Sequence, residues 1–224
     1  MSAEHIIHTL EGDVDLLDPR PEQFSLSAIS RALSRIPRWC GHTPLALSVA
    51  QHSLLVSEIV ARPLHYDLPE IDEKRKADLI RFPANELQLI ALLHDAAEAY
   101  IGDIPTPVKH HPHVTGIRFL ESLLLEQIFL KFGVRPEVAS SLRLPECVKQ
   151  ADAAALEIER RILFGVPIHQ EPIASIALRE AVVSGAWFRS TVELFSLNTP
   201  DTRELFEAMV SRLSPASSEG EAGA

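Results

Sequence analysis

Asn-Glu-Leu-Gln-Leu-Ile-Ala-Leu-Leu-His-Asp-Ala-Ala-Glu-Ala-Tyr, residues 85–100, decides the class of this chain. Leu87, Ala91, His94 and Glu98 recur at the three- and four-residue steps of one helical face. Asn85 reads as the cap of a helix running from Leu87 to Tyr100. Gly102 stands where a left-handed C-terminal cap belongs. Asp95 lies about 100° around that helix from His94. An imidazole and a carboxylate side by side on an apolar helix cost several kcal/mol to desolvate unless something compensates both.

Working outward, the same periodicity recurs. Leu26, Ile29, Leu33 and Ile36 form a helical stripe that Pro37 stops. Thr43-Pro44 has the form of a helix start, predicting a helix over 44–61 with Leu45, Val49, His52, Val56 and Ile59 on one face. Asp103 to Val108, with two prolines, reads as extended. A helix over 116–132 ends at Gly133, and another after Pro145 closes at Gly165, with Val148, Ala151, Ala155, Ile158 and Ile162 as its stripe and Asp152 at the edge. Two more helices are expected around Trp187 and Phe206, the second capped at Thr199-Pro200-Asp201. The sum is an all-α bundle.

The flanks are less regular. Residues 1–24 form an N-terminal arm whose Ile6–Leu10 and Gly12–Val14 pieces fit a small β-hairpin or an irregular segment. The bundle proper spans 25–213, with a polar, proline-bounded insertion at 62–83 and extra C-terminal helices over 166–213. Residues 214–224 have nothing to bury and read as a disordered tail.

Composition narrows the function. With 46% hydrophobic and 23% charged residues over 224 positions, the chain can build one core and is not globally disordered. A net charge of −10 with no basic run argues against a nucleic-acid polymer as partner. A small anion stays admissible, because a metal ion can supply local positive charge. Cys40 and Cys147 form no CxxC, which fits a reducing compartment. Met-Ser-Ala-Glu-His carries acid where a signal peptide needs base, and no apolar run approaches a membrane span. The expectation is a cytoplasmic protein without a membrane partner.

There is no GxxxxGK[ST], GxGxxG, GxSxG or HExxH. What stands out is His52, His94-Asp95 and Asp152, polar residues on three apolar helices. Each alone is ordinarily a hydrogen-bonded core histidine or a surface acid. Together they make a mixed nitrogen and oxygen set suited to Mn, Co, Fe, Zn or Ni, with positions left open for water and substrate.

The spacing His…His-Asp…Asp resembles the signature of the HD-domain metal-dependent phosphohydrolases. Leu-Leu-His-Asp-Ala-Ala-Glu-Ala-Tyr-Ile-Gly-Asp-Ile-Pro-Thr-Pro-Val-Lys (92–109), Arg38-Trp39, Gln51-His52-Ser53 and Val148-Lys149-Gln150-Ala151-Asp152 are similar to the bacterial HD-domain 5′-deoxynucleotidases. The likeness covers roughly residues 25–165. It implies an HD-domain helical bundle with one divalent cation per chain (Co, Mn, Zn, Fe, Ni or Mg) held by His52, His94, Asp95 and Asp152. It implies catalytic roles for Asp95 and Glu98, with Glu98 as general acid/base, and attack on phosphorus by a water bound to the cation. Arg38 would bind phosphate, Trp39 would pack the sugar and reject a 2′-hydroxyl, and Asp103, Ile104, Pro105, Thr106 and Lys109 would line the nucleotide. The product would be a deoxynucleoside and phosphate, and the partner a small (deoxy)nucleotide, in a homo-oligomer of two or more chains.

Two departures leave alternatives open. The family's usual Glu before the first His is Gln51 here, so a partner behind the metal ligands would differ in charge. Gly41-His42-Thr43 is closer to a related branch that includes phage dATP triphosphohydrolases, which admits release of tripolyphosphate from dNTPs. A non-catalytic nucleotide-binding HD module is the third reading, and Glu98 is the residue such a module would have no reason to keep. His110, His111 and His113 follow Pro107 and flank Pro112, which predicts a surface loop instead of a second metal site.

Overall fold

A computed structural model describes residues 3–61, 77–78, 80–141, 143–165 and 191–215. The chain enters through an antiparallel hairpin, β1 (Ile6–Thr9) and β2 (Gly12–Asp15), with Ile6 opposite Asp15 and Thr9 opposite Gly12. Val14 reaches the core from it. Glu11 in its turn accepts from Ser27 Oγ at 2.8 Å and Arg31 at 3.1 Å, fastening the hairpin to the first helix.

That helix, α1 (Leu26–Leu33), is capped by Ser25, whose hydroxyl accepts from the Ala28 N–H, and it buries Ile29 and Leu33. It closes at Ser34, so Ile36 lies beyond it.

The second helix, α2 (Val49–Ala61), starts later than Thr43-Pro44 predicts. Residues 36–38 and 47–49 pair instead: Arg38 N–H donates to the Leu47 carbonyl at 2.8 Å and Val49 N–H to Ile36 at 3.1 Å. This pairing holds the chain extended as far as Ser48 and leaves Leu45 outside the helix and exposed. The helix start is a reciprocal box. Gln51 Oε1 accepts from the Ser48 N–H at 2.8 Å, while Ser48 Oγ accepts from the Gln51 N–H at 3.3 Å.

The helix expected to run unbroken to Tyr100 is two pieces, α3 (Ala84–Leu93) and α4 (Glu98–Ile101). Between them the winding tightens. Ala96 N–H bonds Leu93, Glu98 bonds Asp95 and Ala99 bonds Ala96, three-residue steps in place of four. Pro83, not Asn85, precedes the first turn, and its carbonyl accepts from the Leu87 N–H at 3.1 Å. Gly102 ends α4 at φ 79° and ψ 163°, a positive-φ extended geometry that only glycine adopts freely.

Thr106-Pro107 does not stay extended but opens a single turn, α5 (Thr106–Lys109), because proline fits the first helical turn, where its missing N–H is not needed. Then come α6 (Ile117–Lys131), α7 (Pro136–Ala139) and α8 (Glu146–Phe164), with Gly133 and Gly165 where expected. The last described helix, α9 (Thr199–Leu213), is capped by Asn198, which accepts from the Asp201 N–H.

The centre is α2 packed along both α3 and α8, with α9 covering α3 and α1. Leu55, Val56, Leu89, Ile90, Leu92, Val148, Ala155 and Phe206 fill the contact. Most of 62–83, the helix expected around Trp187, and residues 216–224 of the expected tail lie outside the described residues. Phe82, at the end of the predicted insertion, belongs to the core, with Arg81 and Arg135 over its ring. Among the described residues no helix is long and apolar enough to cross a membrane.

Candidate metal centre

His52 comes from the inner face of α2 and is fully buried. Its Nδ1 lies 2.6 Å from Glu159 Oε1. Burial pushes the Glu159 carboxyl up, but His52 and Arg38 outweigh it and hold the group below its ordinary value. An ionised carboxylate only accepts, so a proton sits on His52 Nδ1 and Nε2 is the atom the ring turns the other way. Burial acts to lower the His52 pKa, but Glu159 and Asp152 raise it above its ordinary value. His94 begins the tightened turn after α3, and its Nδ1–H donates to the Ala91 carbonyl at 2.8 Å. The two rings therefore turn the same atom, Nε2, toward a common point, with centroids 5.3 Å apart.

Both carboxylates stand there too. Asp95 Oδ2 is 3.2 Å from His94 Nε2 and 3.6 Å from His52 Nε2. Asp152 Oδ1, from α8, is 3.1 Å from His52 Nε2 and 3.9 Å from His94 Nε2. His52, His94 and Asp95 offer donor atoms all within 4.8 Å of one another, and Asp152 approaches that set from the more exposed side. Close as they are, neither buried Nε2 has a hydrogen-bond partner. Two unpartnered buried imidazole nitrogens facing two carboxylates fit a divalent cation, since each would otherwise leave the desolvation of a polar group uncompensated.

The field agrees. Burial acts to lower the His94 pKa, yet the charge and contact of Asp95 dominate and raise it to about 9. Desolvation acts to raise the carboxyl groups of Asp95 and Asp152, but the two histidines outweigh it and hold both below the ordinary carboxylate range.

Glu159 is the residue that sequence reading missed. It lies on α8 two turns beyond Asp152, next to Ile158 in the apolar stripe, and that register was the available signal. The expected change of charge behind the ligands, from Gln51, does not arise there. Gln51 caps α2, and its Nε2 donates to the carbonyls of Leu194 and Leu197 at 3.0 and 3.3 Å. Arg38 Nε and Trp39 Nε1 both donate to Glu159 Oε2, at 3.1 and 3.0 Å, and the Arg38 guanidinium reaches to 3.8 Å from Asp95. Trp39 also meets Phe164 edge-on at 5.2 Å. Trp39 and Cys40 are left-handed, with φ of 56° and 51°.

Glu98 is 2% exposed; its Oε1 accepts from Lys109 Nζ at 3.2 Å and its Oε2 is buried without a partner. Burial, then Asp95 and Asp103, push its pKa up to about 9 against the opposing pull of Lys109. Lys109 is shared with Glu121 at 2.7 Å. Asp103, Ile104 and Pro105 are half-buried after Gly102, while Thr106 is exposed. Asp103 is raised by burial, with Arg38 opposing. His110, His111 and His113 are exposed and add no second metal cluster among the described residues.

The comparisons with known proteins converge on this region. A family described as 5′-deoxynucleotidase YfbR-like matches residues 25–117. An uncharacterized protein of Rhodobacter capsulatus is 34% identical over 154 residues, covering 68% of this chain and 69% of its own length. The chain belongs to the YfbR-like 5′-deoxynucleotidase family. A 5′-deoxynucleotidase of Photorhabdus temperata is 32% identical over 117 residues, covering 47% of this chain and 56% of its own length. The YfdR protein of Escherichia coli is 30% identical over 142 residues, covering 63% and 62%. The YfbR-like match takes in Arg38, Trp39, His52, His94, Asp95, Glu98 and Asp103, and ends before Asp152 and Glu159.

Proposed function

We propose that this protein is a metal-dependent phosphohydrolase that removes the 5′-phosphate of deoxynucleoside monophosphates. The observation that carries the reading is the pair of buried, unpartnered Nε2 atoms facing Asp95 and Asp152, with Arg38 and Glu98 beside them. His52, His94, Asp95 and Asp152 would hold the cation. When bound, a divalent cation lowers the pKa of water and offsets charge on phosphoryl oxygens.

The chain's own groups do the rest. Arg38 spends Nε on Glu159 and keeps the far side of its guanidinium for a phosphate oxygen. Glu98 holds a proton at neutral pH, and its unpartnered Oε2 is the atom from which that proton leaves for the nucleoside O5′ as the P–O5′ bond breaks. Lys109, bonded to Oε1, keeps the carboxyl turned that way. The deoxyribose would lie against Trp39 and Asp103, with Ile104 to Thr106 along the base, which is how a 2′-hydroxyl would be refused.

The test is a panel of dNMP, NMP and dNTP substrates with Mn, Co or Zn supplied. Inorganic phosphate from dNMPs, with NMPs poorly used, is the expected result. Tripolyphosphate from dNTPs, or no turnover with any first-row divalent cation, overturns it.

A further inference from the structure

Among the described residues, Glu159 is the fully buried carboxylate whose two oxygens face different parts of the site. Oε1 accepts from His52 Nδ1, a contact to the candidate cation site; Oε2 accepts from Arg38 Nε and Trp39 Nε1, a contact to the left-handed segment. Three donors converge on it and none comes from a neighbour in sequence. Only a group that accepts at both ends serves all three. A glutamine of the same shape has one accepting oxygen and one donating NH2. If its oxygen meets Arg38 and Trp39, its NH2 faces His52 Nδ1, which must then accept, and the ring proton moves to Nε2, the atom that turns toward Asp95 and Asp152. If the amide turns over, His52 keeps its tautomer and two donors confront the NH2.

The segment at the other end needs holding. Trp39 and Cys40 are left-handed non-glycine residues, a conformation in which the Cβ crowds the backbone. Such backbone persists only where its surroundings fix it. Among the described contacts, the Glu159 carboxylate is what the Trp39 indole N–H bonds to.

We propose that Glu159 is a positioning residue that couples the cation site to the Arg38–Trp39 segment, setting the His52 tautomer with one oxygen and the left-handed turn with the other. Cation loading and pocket geometry then answer to one carboxylate. The inference extends the phosphohydrolase reading but is read out without turnover, so either can fail alone.

Glu159→Gln in a Trp187→Phe background, where Trp39 is the remaining indole, is the first test. With cooperative melting retained, Zn2+ affinity by calorimetry falls about 10–100-fold, or acrylamide quenching of Trp39 rises, according to which way the amide turns. Wild-type values for both overturn the proposal. The second test uses Trp39→Phe and proton NMR. The downfield His52 Nδ1–H resonance, identified by its loss in His52→Ala, shifts when the indole stops donating to Glu159. A resonance left in place overturns the coupling whether or not Glu159→Gln folds.

Discussion

The two histidines turn the same atom, Nε2, toward one point from opposite kinds of support. His94 is oriented by a backbone carbonyl of its own helix, three residues away, whereas His52 is oriented by a side chain 107 residues away that is itself shared with Arg38 and Trp39. One half of the site is thus built by local winding and survives nearly any change of side chain behind it. The other half depends on α2, α8 and the 38–41 segment agreeing with one another. Substitutions therefore should read differently on the two sides.

The largest effect belongs to the residue that both halves share. Asp95→Asn removes the carboxylate that stands within 3.6 Å of both imidazole nitrogens. Cation affinity by calorimetry should fall by more than the roughly 100-fold that loss of an outer partner costs at most, and turnover should vanish. Retained binding would mean that Asp152 holds the cation with the histidines unaided. Next comes Glu98→Gln, on the His94 side. It should cost about 10²–10⁴ in kcat while metal content stays at the wild-type level, because Glu98 contributes to the proton and not to the cation. Loss of metal instead would move Glu98 into the ligand set.

The pH dependence of cation uptake follows in size. In the cation-free protein His94 is raised to about 9. Below that pH its proton must leave before Nε2 can ligate, so apparent affinity rises with pH, up to about tenfold per unit for one proton released, and levels off near the raised pKa. Calorimetry in buffers of different ionisation enthalpy counts the proton. A flat profile between pH 6.5 and 8.5 would show His94 already neutral.

Smaller effects separate support from chemistry. Gln51→Glu replaces a buried donor to the Leu194 and Leu197 carbonyls by an acceptor. It should lower stability to urea by about 1–3 kcal/mol and leave cation affinity within a few-fold, since this side chain faces the C-terminal segment. Ala91→Gly should be smallest at the metal. It costs about 1 kcal/mol of helix stability but keeps the carbonyl that orients His94, so affinity changes little.

The same contrast explains what could be read beforehand. The stripe Leu87, Ala91, His94 and Glu98 places its residues through local winding, and sequence shows that directly, even though the helix tightens between Leu93 and Glu98. The α8 stripe located Asp152 for the same reason. Glu159 is hard to read because its partners, His52 on α2 and Arg38 and Trp39 before it, are more than 100 residues away, and an acid in a row of Glu-Ile-Glu-Arg-Arg looks like a solvated face. The start of α2 was misplaced because Thr43-Pro44 is a sound local signal overruled by pairing between residues 36–38 and 47–49. Ser48 with Gln51, a serine and a glutamine three residues apart, is the competing local signal for the start of this helix.

The left-handed pair at Trp39 and Cys40 bears on how substitutions accumulate in this chain. A branched residue at either position would strain the turn further, whereas glycine at 40 would relax it at no cost in contacts, the Cys40 side chain being exposed. Drift at 40 is therefore biased toward small, backbone-permissive residues by conformation alone. Substitution of Cys40 is expected to be governed first by the shape of the loop.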